Sequence, residues 1–202
     1  MPKAHFQVKF LQRANIMVFS SIPFLYYFLP IVIGLYFLVP FRYKNLVLLL
    51  TSLFFYFYGE PKYTLLMLAT TLSSYIHGIL IDKYRGTKRA KAWLVSSITT
   101  SMLLLGFFKY SDFFLHNINS IFGAGIPLLG IALPIGISFF TFQTLSYTID
   151  VYRGDAQVQK SFVRLATYVA LFPQLIAGPI VRYTTVEEDL SARTHSINNF
   201  GE

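Results

Sequence analysis

Apolar positions fall into long runs separated by short basic or polar breaks, and these runs divide the chain. Val18 to Val39 holds 22 residues without a charge, enough helix to cross a hydrocarbon core ~30 Å thick. Pro40, Arg42 and Lys44 close it. Leu46 to Tyr58 is apolar but short, and ends in an aromatic cluster before Gly59-Glu60-Pro61. Tyr63 to Ile81 is the next predicted span. Its Thr70, Thr71, Ser73 and Ser74 favour close approach and side-chain bonds between helices. Ala92 to Phe108 crosses back. Lys109 to Gly125 mixes Phe and Leu with polar groups and reads as an interfacial segment. Ile126 to Ile149 forms a further span, bent near Pro134. Leu165 to Val181 contains Pro173, Gly178 and Pro179, which predicts a re-entrant or broken helix rather than a clean span. The expected fold class is therefore all-α: a polytopic transmembrane helical bundle with broken or re-entrant helices.

One run carries a second pattern. Phe113 to Ile149 is 37 residues without Asp, Glu, Lys or Arg. Within it Gln143 and Tyr147, and then Asp150 just beyond, recur at i, i+4 and i+7, on one helical face. Phe142, Leu145 and Ile149 occupy another. A polar stripe at membrane depth must turn toward protein or water, because lipid cannot satisfy it. Two readings stay open from spacing alone: interhelical glue, or the lining of a cavity.

Composition sharpens the class. Hydrophobic residues make up 54% of the 202 and charged residues 13%, at a mean hydropathy of +0.54, which belongs to a membrane protein. The net charge of +8 sits in short loops, where it sets orientation rather than binding nucleic acid. The Asp82 to Lys91 loop has five basic residues and one acid, so the positive-inside rule places it in the cytoplasm. The expected arrangement is a multi-pass membrane protein. With no cysteine there is no disulfide and no thiolate metal site. Met1 to Ile16 is basic and lacks a membrane-length run. It reads either as an upstream extension before a true start at Met17, or as a short amphipathic anchor using Phe6, Phe10 and Leu11.

The stretch Leu133 to Gly154, LPIGISFFTFQTLSYTIDVYRG, resembles the signature of the membrane-bound O-acyltransferases (MBOAT), in the bacterial branch that acetylates alginate and D-alanylates teichoic acid. Phe172 to Tyr183, FPQLIAGPIVRY, is similar to that branch's next motif. Gln143, Asp150, Tyr152, Arg153, Gln174, Gly178, Pro179 and Arg182 carry the likeness, which runs from about Met17 to Glu202. It implies transfer of an acetyl or other acyl group from an intracellular donor to hydroxyls of an exported polysaccharide such as alginate. The donor would be acyl-CoA or an acyl-carrier thioester, with no bound cofactor. The implied partners are the lipid bilayer and other polysaccharide-acetylation proteins. In that family the chain continues, and the histidine regarded as catalytic lies past this sequence's end. Residues 17–202 are thus expected to be the N-terminal part of one acyltransferase domain, inactive alone, and Asn198 to Glu202 reads as the first turn of a further helix.

O-acyl transfer needs a base for the acceptor hydroxyl's proton and donors for the tetrahedral oxyanion. Candidate chamber-lining residues are Gln143, Tyr147, Asp150, Arg153 and Arg182. Arg153 and Arg182 could draw an acidic donor; equally, Asp150 could simply pair with Arg153 at i+3 and close the helix. The catalytic residue is not assigned. None of His5, His77, His116 and His195 falls in a matching motif, and His77, about one turn from Asp82, is expected to be structural. No metal cluster, phosphate loop or Ser-His-Asp pattern occurs. Two rival classes stay open: a non-catalytic membrane module in a polysaccharide export complex, and a transporter-like half, which the broken helices and polar stripe alone would suggest.

Overall fold

The computed structural model describes residues 21–177 and 181–191. The basic leader, His5, Gly178-Pro179, His195 and Asn198 to Glu202 lie outside them. The described residues are helical, with irregular connections and no strand.

The chain enters through a π-helical turn, Phe24–Phe28, that runs into α1, Leu29–Leu38. Proline 30 explains the π turn. It has no N–H and its ring crowds the carbonyl four residues back, and the Leu29 N–H bonds to Phe24 O, five residues back. Helix α2, Phe41–Gly59, starts directly after Pro40, so Arg42 and Lys44 lie in its first turn rather than in a break. Helix α3, Pro61–Lys83, matches the expected span with two residues more at each end. Helix α4 is Lys88–Phe122, about 52 Å at 1.5 Å per residue. It absorbs the segment expected to be interfacial as far as Phe122, where Gly123 at φ +61° ends it. Of all these, α3 and α4 are long and apolar enough to cross a membrane.

Helix α5, Ile137–Arg153, begins eleven residues later than the run of hydropathy suggests. The apolar stretch before it is a loop with its polar backbone tied down. Asn119 brackets Ile126, donating from Nδ2 to its carbonyl at 2.7 Å and accepting its N–H at 2.8 Å. Asp112 accepts the N–H groups of Leu129 and Gly130 at 2.9 and 3.1 Å. Tyr63 and Tyr56 donate to the carbonyls of Ala132 and Ile135, each at 2.8 Å. These bonds do for the loop what a helix would do internally. After α5 come α6, Phe162–Ala170, α7, Phe172–Ala177, and α8, Tyr183–Ser191. Between α6 and α7, Leu171 takes ψ 112°, which ends the first helix one residue before the second.

Helix α5 is the centre: α3, α4, α6 and α8 all pack on it. Leu145, expected to look away from the polar stripe, does point elsewhere but is buried too, because neighbours cover more than one side. Phe142 marks the exposed side at 42%. Phe24, Phe28, Phe55 and Phe172 form a separate aromatic cluster that pins the entry segment against α2 and α7, with centroids 5.3–5.8 Å apart, the range of favourable edge contacts.

Candidate functional site

The buried polar side chains concentrate on α5 and on the chain that returns along it. Gln143 is 1% exposed, Tyr147 0% and Asp150 4%. Helix α5 ends where Gly154 adopts φ +85°, and the Asp150 carbonyl collects the N–H groups of Gly154, Asp155 and Ala156. A left-handed residue is what glycine allows at a helix end. The reversal lays residues 155–161 back against the helix.

That return places Gln159 between two tyrosines. Its main-chain N–H donates to Tyr147 Oη at 3.1 Å, and its side-chain Nε2 donates to Tyr183 Oη at 2.8 Å. Its Oε1 accepts the Ser161 N–H at 3.0 Å. The Ser161 bond requires an oxygen at that position, so the amide orientation follows from the network. Tyr183 stacks edge-on to both Tyr147 and Tyr168, at 5.0 and 5.4 Å between centroids. Tyr168 donates to Val181 O and thereby holds the segment that leads into α8. Burial lifts the Tyr183 hydroxyl above the ordinary tyrosine range, and the Gln159 bond opposes that without reversing it; the group is a neutral hydroxyl at physiological pH.

From the α3 side, Gly78 meets Tyr147 so closely that a Cβ there would lie 2.6 Å from its hydroxyl oxygen. Tyr75 donates to Lys160 O at 2.8 Å, tying α3 to the return loop. Arg85, in the turn between α3 and α4, donates to Val151 O at 3.1 Å and pairs with Asp82 at 3.0 Å. A cation at the carbonyl end of α5 is the favourable sign for the helix dipole.

The five residues picked from the sequence therefore separate. Tyr147 and Asp150 share the buried layer with the tyrosine cluster. Gln143, a turn before Tyr147, is buried with its Oε1 lacking a hydrogen-bond partner among the described residues. Arg153 and Arg182 are exposed. The Asp150–Arg153 pair does not form among the described residues. Helical side chains lean toward the N-terminus, and Asp150 Oδ2 reaches back to accept from Ser146 Oγ at 3.2 Å instead. Gln174 Nε2 and Thr141 Oγ1 are also buried without partners among the described residues. Gln159, Tyr168, Gly78 and Arg85 were not singled out from sequence. Their partners lie 12 to 69 residues away, and no local period records such pairings.

His77 is committed on both ring nitrogens. Nδ1 donates to Ser73 O at 2.7 Å, so Nε2 is the acceptor and takes the Ser96 hydroxyl at 3.2 Å, with Trp93 edge-on at 5.9 Å. It bridges α3 and α4. Replacing it with alanine is expected to lower stability by about 1 kcal/mol for the lost bridging bond. Thermal unfolding of His77→Ala in detergent checks this, and an unfolding temperature equal to wild type would refute the bridging role.

The chain is similar to known proteins over most of its length. A probable alginate O-acetylase of Pseudomonas aeruginosa is 41% identical over 191 residues, covering 92% of this chain and 37% of that protein. The corresponding protein of Azotobacter vinelandii is 41% identical, with 92% and 38% covered. A peptidoglycan O-acetyltransferase of Helicobacter pylori is 30% identical over 217 aligned positions, with 93% and 41% covered. The chain thus spans about two-fifths of the length of these relatives. No family model matches it, and no solved structure does.

Proposed function

We propose that this chain, a homologue of bacterial O-acetylases, is part of a membrane-bound O-acyltransferase and serves in acetyl transfer to hydroxyls of an exported polysaccharide such as alginate. The similarity over 92% of the chain carries this reading, and the relatives' names weigh for a transferase over a non-catalytic module or a transporter-like half. The setting is a multi-pass bundle in the bacterial inner membrane, with the Asp82 to Lys91 turn in the cytoplasm. The paired short helices α6 and α7 act as a re-entrant element. The acyl donor is a cytoplasmic thioester, of coenzyme A or an acyl carrier, and the other polysaccharide-acetylation proteins are its partners.

The chemistry available from the described residues is positional. Gln143 Oε1 is a buried acceptor without a partner among the described residues, and such a group costs on the order of 1–3 kcal/mol until something donates to it. An acceptor sugar's hydroxyl would satisfy it and be oriented by it. An amide oxygen is too weakly basic to take the proton, so Gln143 aligns the nucleophile while another group acts as base. Tyr147 and Asp150 hold the helix end that fixes Gln143's height in the bundle. Arg182, exposed beside the tyrosine cluster, offers a positive charge to an acidic donor or carrier.

Deleting the gene and measuring base-released acetate on the exported polysaccharide tests the reading. Ester acetate should fall and return on complementation. Unchanged acetate, with polysaccharide export intact, refutes a transferase role; lost export with normal acetate on residual polymer points to the export module.

A further inference from the structure

A cleft of about 420 Å³ opens where α3 hands over to α4, beside the end of α5. Arg85, Gly86 and Thr87 of the turn form one wall, Tyr152 and Arg153 of α5 the other, and Ile81 part of the floor. The first five are exposed, so the cleft is reachable from outside. We propose that it seats a phosphate group, the position favouring that of an anionic phospholipid headgroup.

Charge and hydrogen-bond capacity carry the argument. Arg153 has no ion pair or hydrogen bond from its side chain among the described residues. Arg85 spends Nε and Nη2 on Asp82 and Val151 O, which leaves Nη1 uncommitted and locks the guanidinium in place. Gly154 permits that placement, since a Cβ there would lie 3.0 Å from Nη1. Asp82 offsets part of the Arg85 charge, but Lys83, Lys88, Arg89 and Lys91 flank the same turn. Thr87 turns its hydroxyl back to Tyr84 O at 2.7 Å rather than capping α4, so the positive end of a 35-residue helix also faces the cleft. Planar, fixed guanidinium groups suit phosphate oxygens. The cleft lies at the junction of the two helices long enough to cross a membrane, the depth at which headgroups sit. Tyr84 and Tyr152 supply the aromatic side chains typical of that layer, and basic pockets between helices are a known form of headgroup site.

The inference is independent of acetyl transfer, and its test needs no activity. The full chain is placed in phosphatidylcholine nanodiscs, and thermal unfolding is followed as phosphatidylglycerol replaces part of the lipid, or as inorganic pyrophosphate is added. Stabilisation is expected in one arm: by phosphatidylglycerol if the phosphate comes from lipid, by pyrophosphate if it is soluble. Arg153→Gln should weaken the half-maximal concentration roughly tenfold or more, Arg153→Lys less, and Lys62→Gln, on the opposite end of α3, not at all. Because the Arg153 side chain is exposed and makes no hydrogen bond or ion pair among the described residues, its variants are expected to fold. No stabilisation in either arm, or equal stabilisation of Arg153→Gln and wild type, overturns the site.

Discussion

Gly78→Ala should separate α3 from α5 and destabilise the protein, although alanine is the better helix former by about 1 kcal/mol. The new Cβ would stand 2.6 Å from Tyr147 Oη, 2.8 Å from Cε1 and 3.0 Å from Cζ. The ring has no free direction of retreat. Tyr183 packs edge-on to it at 5.0 Å and the Gln159 N–H holds its hydroxyl at 3.1 Å. Overpacking a fixed core costs about 1–3 kcal/mol, which exceeds the propensity gain. Thermal unfolding in detergent should show a clear drop. The clash is specific, so it can be isolated: with Tyr147→Leu already present, adding Gly78→Ala should cost little, giving strong non-additivity in a double-mutant cycle. Additive losses would mean that Gly78 and Tyr147 do not collide.

Gln159→Leu should be comparably damaging for a different reason. It leaves Tyr183 Oη without its donor and the Ser161 N–H without its acceptor. Stranding the buried Tyr183 hydroxyl costs about 1–3 kcal/mol, and the half-buried Ser161 N–H adds a smaller amount, so the loss should be at least roughly 1–3 kcal/mol. Removing the partner as well is milder: in the Gln159→Leu, Tyr183→Phe pair the hydroxyl no longer needs satisfying, and the double variant should be less unstable than the summed single losses. Equilibrium unfolding of the four proteins decides it. A Gln159→Leu protein within about 0.5 kcal/mol of wild type, the size of an ordinary surface substitution, would show that the network is not what holds the return loop.

Hydropathy located some elements well and others poorly, and the difference has one cause. Tyr63 to Ile81 was legible because a single continuous apolar run coincides with a single helix, Pro61–Lys83. Lys109 and Asp112 end an apolar run but not a helix, since backbone hydrogen bonds continue through charged residues and α4 is longer than any bilayer core requires. Ile126 to Pro134 fails in the opposite sense. It is apolar yet not helical, because Asp112, Asn119 and Tyr63 satisfy its backbone from elsewhere in the chain.

By itself, the sequence determined the helical character seen throughout the described residues, an apolar content fit for a membrane, and the placing of Gln143, Tyr147 and Asp150 on one face of one helix. Those properties follow from residue type and a period of 3.6, which are local. Tertiary structure alone decided that Gln159 lies between Tyr147 and Tyr183, that Gly78 leaves room for a tyrosine ring, that Asp150 turns back to Ser146 and leaves Arg153 free, and that Arg85 crosses to the end of α5. Each of these but the Asp150 turn joins residues far apart in the chain. Which distant groups meet is set by how helices pack around α5, and packing depends on the shapes of all the surfaces together rather than on the pattern of any one segment.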